Sequence, residues 1–124
     1  MDFKKLLAYQ KAYELAMVIF EISKSFPKEE TYSLTDQIRR SSRSVCANIS
    51  ESYRKRRYPK HFISKLTDSD GENSETSTWL DFANDCGYIS REKHNSLSEQ
   101  SMEVGKLINY MINNPGKFGV NVDD

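Results

Sequence analysis

A chain of 124 residues suffices for one domain with one core, and none of its stretches approaches the ~20 consecutive apolar residues of a membrane span. The segment from Met1 to Leu7 carries two lysines but no apolar signal core, so the expectation is a cytoplasmic protein, neither exported nor membrane-bound. Eighteen basic and eighteen acidic side chains cancel, yet the signs are segregated along the chain, and segregation bears on partners more than on fold.

Four segments carry helical periodicity, and the breaks between them are short. The first runs from about Phe3 to Ser25, before Phe26-Pro27. It has two apolar seams, one through Leu6, Tyr9, Tyr13, Ala16 and Phe20, the other through Ala8, Ala12, Leu15, Ile19 and Ile22. A helix apolar on two faces must be buried on two, so the second seam is expected to lie in a subunit interface.

The second segment starts near Ser33 and ends around Tyr53. Leu34, Ile38, Val45 and Ile49 share one narrow arc bordered by the small Ser41, Ser42 and Cys46. Arg39, Arg40 and Arg43 fall on the opposite side. Arg54-Lys55-Arg56-Arg57-Tyr58 then fills the turn, and Lys60, His61 and Lys65 follow it. From Arg39 to Lys65 only Glu51 opposes nine basic residues, a segment charge of +8.

The third segment begins at Pro59, a favourable first helical position, and ends at Gly87, suited to a left-handed cap. Its line through Phe62 and Leu66 continues as Ser69, Asn73 and Thr76 before Leu80. Three polar residues on a core-facing line need hydrogen-bond partners, and a satisfied network fixing register is the favoured reading over a ligand site. Gly71 is read as a point of close packing. Trp79, Phe82 and Cys86 point away from that line, so Trp79 and Phe82 join Ala8, Ala12, Leu15, Ile19 and Ile22 as expected oligomer contacts. From Leu66 to Glu103 nine acids meet two bases, a segment charge of −7.

The fourth segment is opened by Ser90 as N-cap with Glu92 in its first turn. Leu97, Ser101, Val104, Ile108 and Met111 form its seam, and it stops near Asn113. Connections this short favour antiparallel neighbours, hence an all-α, up-down-up-down four-helix bundle over residues 1–114. The tail, residues 115–124, has no periodicity and is expected to be irregular, frayed or extended.

Catalytic chemistry finds little footing. His61 and His94 stand in no motif beside a nucleophile or base, and no nucleophile elbow, phosphate-binding loop or paired-cysteine motif occurs. No metal site, cofactor or enzymatic activity is expected; Cys46 and Cys86 are read as two small buried thiols. The basic cluster is the candidate site. Arg39, Arg40, Arg43, Arg54, Lys55, Arg56, Arg57 and Lys60 could bridge successive phosphates, with Tyr53 and Tyr58 stacking on bases. Glu51 is expected to orient Arg40 or Arg54 by pairing with it. The competing expectation is a protein–protein scaffold in which the same basic surface pairs with the acidic third helix of a neighbouring subunit or with a partner protein.

Several strings carry a family resemblance: Tyr9-Gln10-Lys11-Ala12-Tyr13-Glu14-Leu15, Phe26-Pro27-Lys28-Glu29-Glu30, Leu34-Thr35-Asp36-Gln37-Ile38-Arg39-Arg40-Ser41-Ser42 and Ala47-Asn48-Ile49-Ser50-Glu51. Phe62-Ile63, Gly71-Glu72-Asn73-Ser74-Glu75-Thr76 and Cys86-Gly87-Tyr88-Ile89 extend them. With these the chain resembles the 23S rRNA intervening-sequence protein family of small bacterial four-helix bundles. Cys46 stands where that family often has proline and Ser52 where it often has glycine, which bears on local bend and turn geometry. The resemblance implies a homopentamer, and kinship with the nucleic-acid-binding accessory variability proteins of diversity-generating retroelements.

Overall fold

The computed structural model describes residues 2–121; the calls on Met1 and on residues 122–124 of the tail lie outside the described residues. Among these it is helical throughout: α1 (Leu7–Ser23), α2 (Leu34–Arg54), α3 (Pro59–Asp85) and α4 (Arg91–Asn113), with 3-10 turns at Phe3–Lys5, Lys28–Glu30 and Pro115–Phe118. Each helix packs on the next and α1 closes on α4, the up-down bundle that short connections dictate. No helix among the described residues is long and apolar enough to cross a membrane.

Chain chemistry explains most boundaries. Asp2 accepts from the Lys4 amide at 3.2 Å and so starts a 3-10 turn; Leu6 is then extended (φ −68°, ψ 131°), which delays α1 from Phe3 to Leu7. Ser33 makes no side-chain cap. Glu30 takes over, its Oε1 accepting from the Ser33 hydroxyl at 2.6 Å and the Leu34 amide at 3.3 Å. Pro59 opens α3, and α3 ends as Gly87 takes φ +77° and the Tyr88 amide reaches the Ala83 carbonyl at 2.8 Å. Ser90 caps α4 through the Lys93 amide at 3.0 Å. Neither Cys46 nor Ser52 interrupts α2.

The core is built from the expected arcs of α2, α3 and α4: Leu34, Ile38, Val45 and Ile49 meet Phe62, Leu66 and Leu80, and Leu97, Val104, Ile108 and Met111 close the floor. Helix α1 reverses one expectation. Ala8, Ala12, Leu15 and Ile19 are buried within the single chain, and Ile22 is half-buried against the same core, so these are not free to form a subunit contact. The small alanines let α1 approach its neighbours closely. The outward apolar line is instead Tyr13 and Met17, 52% and 47% exposed, with half-buried Tyr9 and Phe20 beside them.

The polar line of α3 is a closed network. The Ser69 hydroxyl donates to the Val45 carbonyl (2.8 Å), Ser41 and Thr76 hydroxyls meet at 2.8 Å, and Asn73 Nδ2 donates to the Ser101 carbonyl (2.9 Å) while Ser101 Oγ returns to Asn73 Oδ1 (3.3 Å). Among the described residues no buried side-chain nitrogen or oxygen lacks a partner. Gly71 is not the close-packing glycine: nothing lies within 4 Å of where its Cβ would be. Gly105 is, since a Cβ there would stand 3.3 Å from Asn73 Nδ2.

Candidate nucleic-acid interface

Read along the chain, the basic residues from Arg39 to Lys65 form one cluster. In three dimensions they divide into a helix shaft and a bundle end. On the shaft, Arg40 faces α3, where Nη1 donates to Glu72 Oε2 at 3.0 Å and Nη2 donates to Glu75 Oε1. The Glu75 hydrogen bond and both carboxylate charges raise the Arg40 pKa further above its ordinary value. Arg39 turns toward α1, donating from Nε to the Ser23 hydroxyl at 2.7 Å with its guanidinium 4.9 Å from the Phe20 ring centre. Arg43 lies 5.6 Å from the same ring.

Arg40 and Arg54 are the partners expected for Glu51 from the sequence, but it pairs instead with Lys65 across the α2–α3 contact at 2.9 Å. One helical turn separates Glu51 from Lys55, yet the facing helix offers a cation at better reach. That pairing raises the Lys65 pKa, through the hydrogen bond first and the charge second.

The bundle end is different. Among the described residues Arg54, Lys55, Arg57 and Lys60 make no ion pair; Arg54, Arg57 and Lys60 are exposed and Lys55 is half-exposed. The up-down topology brings the Phe3–Lys5 turn and the Pro115–Phe118 turn to this same end, adding Lys4, Lys5 and Lys117. These three lysines lie far from the cluster in sequence, and only the antiparallel arrangement of helices could have recruited them.

Arg56 is fixed in this end. Its guanidinium stacks 3.6 Å from the Tyr53 ring centre, Nε donates to the Tyr53 carbonyl at 2.8 Å, and Nη1 donates to the Phe118 carbonyl at 3.4 Å. Gly119, at φ +85°, passes so close that a Cβ would stand 3.0 Å from Arg56 Nη1. Tyr53 is therefore buried under Arg56 and offers no free face for a base, whereas Tyr58 is 56% exposed beside His61. The tail expected to be frayed is thus ordered through Phe118, and Val120 is buried behind it. Asp2, Phe3, Tyr53, Arg54, Arg56, Arg57 and Gly119 line an open recess of about 530 Å³.

Elsewhere the chemistry is sparse. His94 Nε2 lies 2.8 Å from Asp81 and 3.4 Å from the Ser98 hydroxyl, a tie between α3 and α4. Cys46 is buried, which pushes its thiol up to about 11; Cys86, expected to be buried too, is exposed just beyond the end of α3. Among the described residues no three metal-ligating side chains converge. Phe82 is 53% exposed and Trp79 half-buried, its indole nitrogen donating to Glu75 at 3.3 Å.

The fold and this end define an all-α four-helix bundle with a cluster of unpaired basic side chains at one pole. The chain belongs to the 23S rRNA-intervening sequence protein family, whose description matches residues 4–110. A solved structure from Bacteroides thetaiotaomicron VPI-5482, a protein of unknown function from the S23 ribosomal protein family, is 31% identical with a TM-score of 0.78. The alignment covers 86% of this chain and 96% of that one. No curated protein matches.

Proposed function

We propose that this protein is a non-enzymatic, cytoplasmic homo-oligomer that binds nucleic acid, RNA in the first instance, through the basic end of the bundle. The observation that carries the reading is the unpaired set Arg54, Lys55, Arg57 and Lys60, set beside Lys4, Lys5 and Lys117 with Asp2 as the one carboxylate lining the recess. Crowding like charges at one pole disfavours the compact state, and a polyanion relieves it. The kinship with accessory variability proteins that the resemblance implies points the same way. Arg39 and Arg43 extend the surface along the shaft, while Arg40, held by two carboxylates, contributes least.

A homo-oligomer, a pentamer by resemblance, accounts for the outward line of Tyr9, Tyr13 and Met17 and for Phe82 and Trp79. The scaffold reading draws on these same residues. Its charge-pairing half is weakened because Arg40 and Lys65 already find Glu72, Glu75 and Glu51 inside the chain.

Titrating a short RNA with protein at several salt concentrations tests the proposal, with light scattering giving the assembly state. Binding should weaken steeply with salt, and replacing Arg54, Arg57 and Lys60 together by Ala should flatten the slope by ~2–3 units. Arg56 is left in place because its loss would release the tail. Absence of binding at low salt, with an oligomer by scattering, would hand the function to the scaffold; a monomer of 14.4 kDa would remove the assembly.

A further inference from the structure

The recess at the basic end has a shape and a charge that an open phosphate-binding track does not need. A strand lying across a surface presents one negative charge per internal phosphate, and exposed, mobile lysines serve that purpose. Here three arginines converge on one concavity of about 530 Å³, with the Phe3–Lys5 turn on one side and Gly119 of the tail on another.

The three arginines are not equivalent. Arg56 is set in advance by the Tyr53 ring, the Tyr53 carbonyl and the Phe118 carbonyl, so its charge stands at the recess wall before any ligand arrives. Arg54 and Arg57 are exposed and can fold over an occupant. Asp2, the one acid in the lining, is turned onto its own backbone through the Lys4 amide. Phe3 lends an apolar ring to the same wall, packed edge-on to Tyr9 at 5.2 Å between ring centres.

A group carrying nearly two negative charges and three acceptor oxygens on one phosphorus matches such a set, and arginine forks suit it better than lysine. We propose that the recess takes the terminal phosphate monoester of an RNA strand, Arg56 forming the fixed wall, Arg54 and Arg57 closing on the oxygens, and the Phe3 ring meeting the terminal nucleoside. The inference rests on the nucleic-acid reading above, but it concerns strand ends where that reading concerns phosphates at large. A free nucleotide carries the same group.

The test compares one short RNA in three forms: phosphorylated at the 5′ end, phosphorylated at the 3′ end, and hydroxylated at both. Fluorescence anisotropy should show one phosphorylated form binding about tenfold tighter than the hydroxyl form, roughly the worth of one charge-assisted hydrogen bond. Arg57→Ala and Arg54→Ala should each reduce that ratio toward one, with an unchanged helical circular dichroism spectrum showing that the bundle remains folded. Equal binding of all three forms overturns this inference and leaves the general reading standing. Binding of none overturns both. A ratio that survives both substitutions places the end elsewhere and overturns the inference. Adenosine monophosphate as competitor separates the sources: displacement as effective as by the strand assigns the recess to free nucleotide, and weaker displacement assigns it to the strand end.

Discussion

The two ends of this bundle solve the same problem in opposite ways. At the end formed by the α1–α2 and α3–α4 connections, polar groups are matched locally: Glu30 caps α2, Tyr88 donates to the same carboxylate at 2.8 Å, and the Phe26 and Tyr88 rings stand 5.7 Å apart. At the other end, four side chains from Arg54 to Lys60 go unpaired while the one fixed arginine serves the tail. The first arrangement holds helices together. The second leaves like charges crowded, a cost with no return inside the chain, and that contrast is what directs attention to an external anion.

The comparison can be broken at the paired end by Phe26→Ala, the largest effect we expect. Removing this buried ring should lower unfolding free energy by ~3 kcal/mol in urea denaturation, while RNA binding of the remaining folded protein stays at the parental value. The Arg54, Arg57 and Lys60 triple replacement should do the reverse, altering binding while stability moves by no more than ~0.5 kcal/mol. A stability loss comparable to that of Phe26→Ala would mean that the basic end is structural after all.

Gly119→Ala sharpens the contrast within the basic end. A left-handed backbone and a Cβ 3.0 Å from Arg56 both oppose the substitution, so a loss of ~1 kcal/mol is expected, with faster proteolysis after Phe118 as the direct sign of a released tail.

The smallest effect is one of pH. The hydrogen bond to Glu30 raises the Tyr88 hydroxyl to about 12, so its contribution is complete below its ordinary value of 10.0 and disappears as pH rises from there to about 12. Glu30 is lowered, chiefly by Ser33 and then by Tyr88, so its contribution is complete above 4.5 and fades as pH falls below that. Tyr88→Phe should flatten the alkaline limb of stability against pH, measured by thermal unfolding. An alkaline limb identical to the parent's would mean the Tyr88–Glu30 bond is not formed in solution.

Much of the fold was legible because α4 carries one seam of alternating four- and three-residue spacings and α2 one narrow apolar arc, and every member of both is buried. Helix α1 was ambiguous for a physical reason. Alanine tells little of which side faces inward, and tyrosine or methionine tolerates water at a helix surface, so two plausible seams competed and spacing could not choose between them. The Arg40 clasp joins residues 32 and 35 positions apart, and Arg56 reaches 62 positions to Phe118. Such partners are set by how helices pack, and no local pattern announces them. The basic turn itself was plain; which of its arginines were already committed was not.

Arg56 also makes the tail a participant in whatever happens at the basic end. One guanidinium is held at once by the last turn of α2 and by a carbonyl near the end of the described chain. An occupant that draws this group outward loosens Phe118, and one that binds better while it is seated tightens the tail against the bundle. Linkage is reciprocal: any change that detaches the tail shifts affinity at the recess by the same free energy with which occupancy shifts the tail. A short C-terminal segment without periodicity is thereby a thermodynamic reporter of the site, readable by hydrogen exchange at Gly119 and Val120.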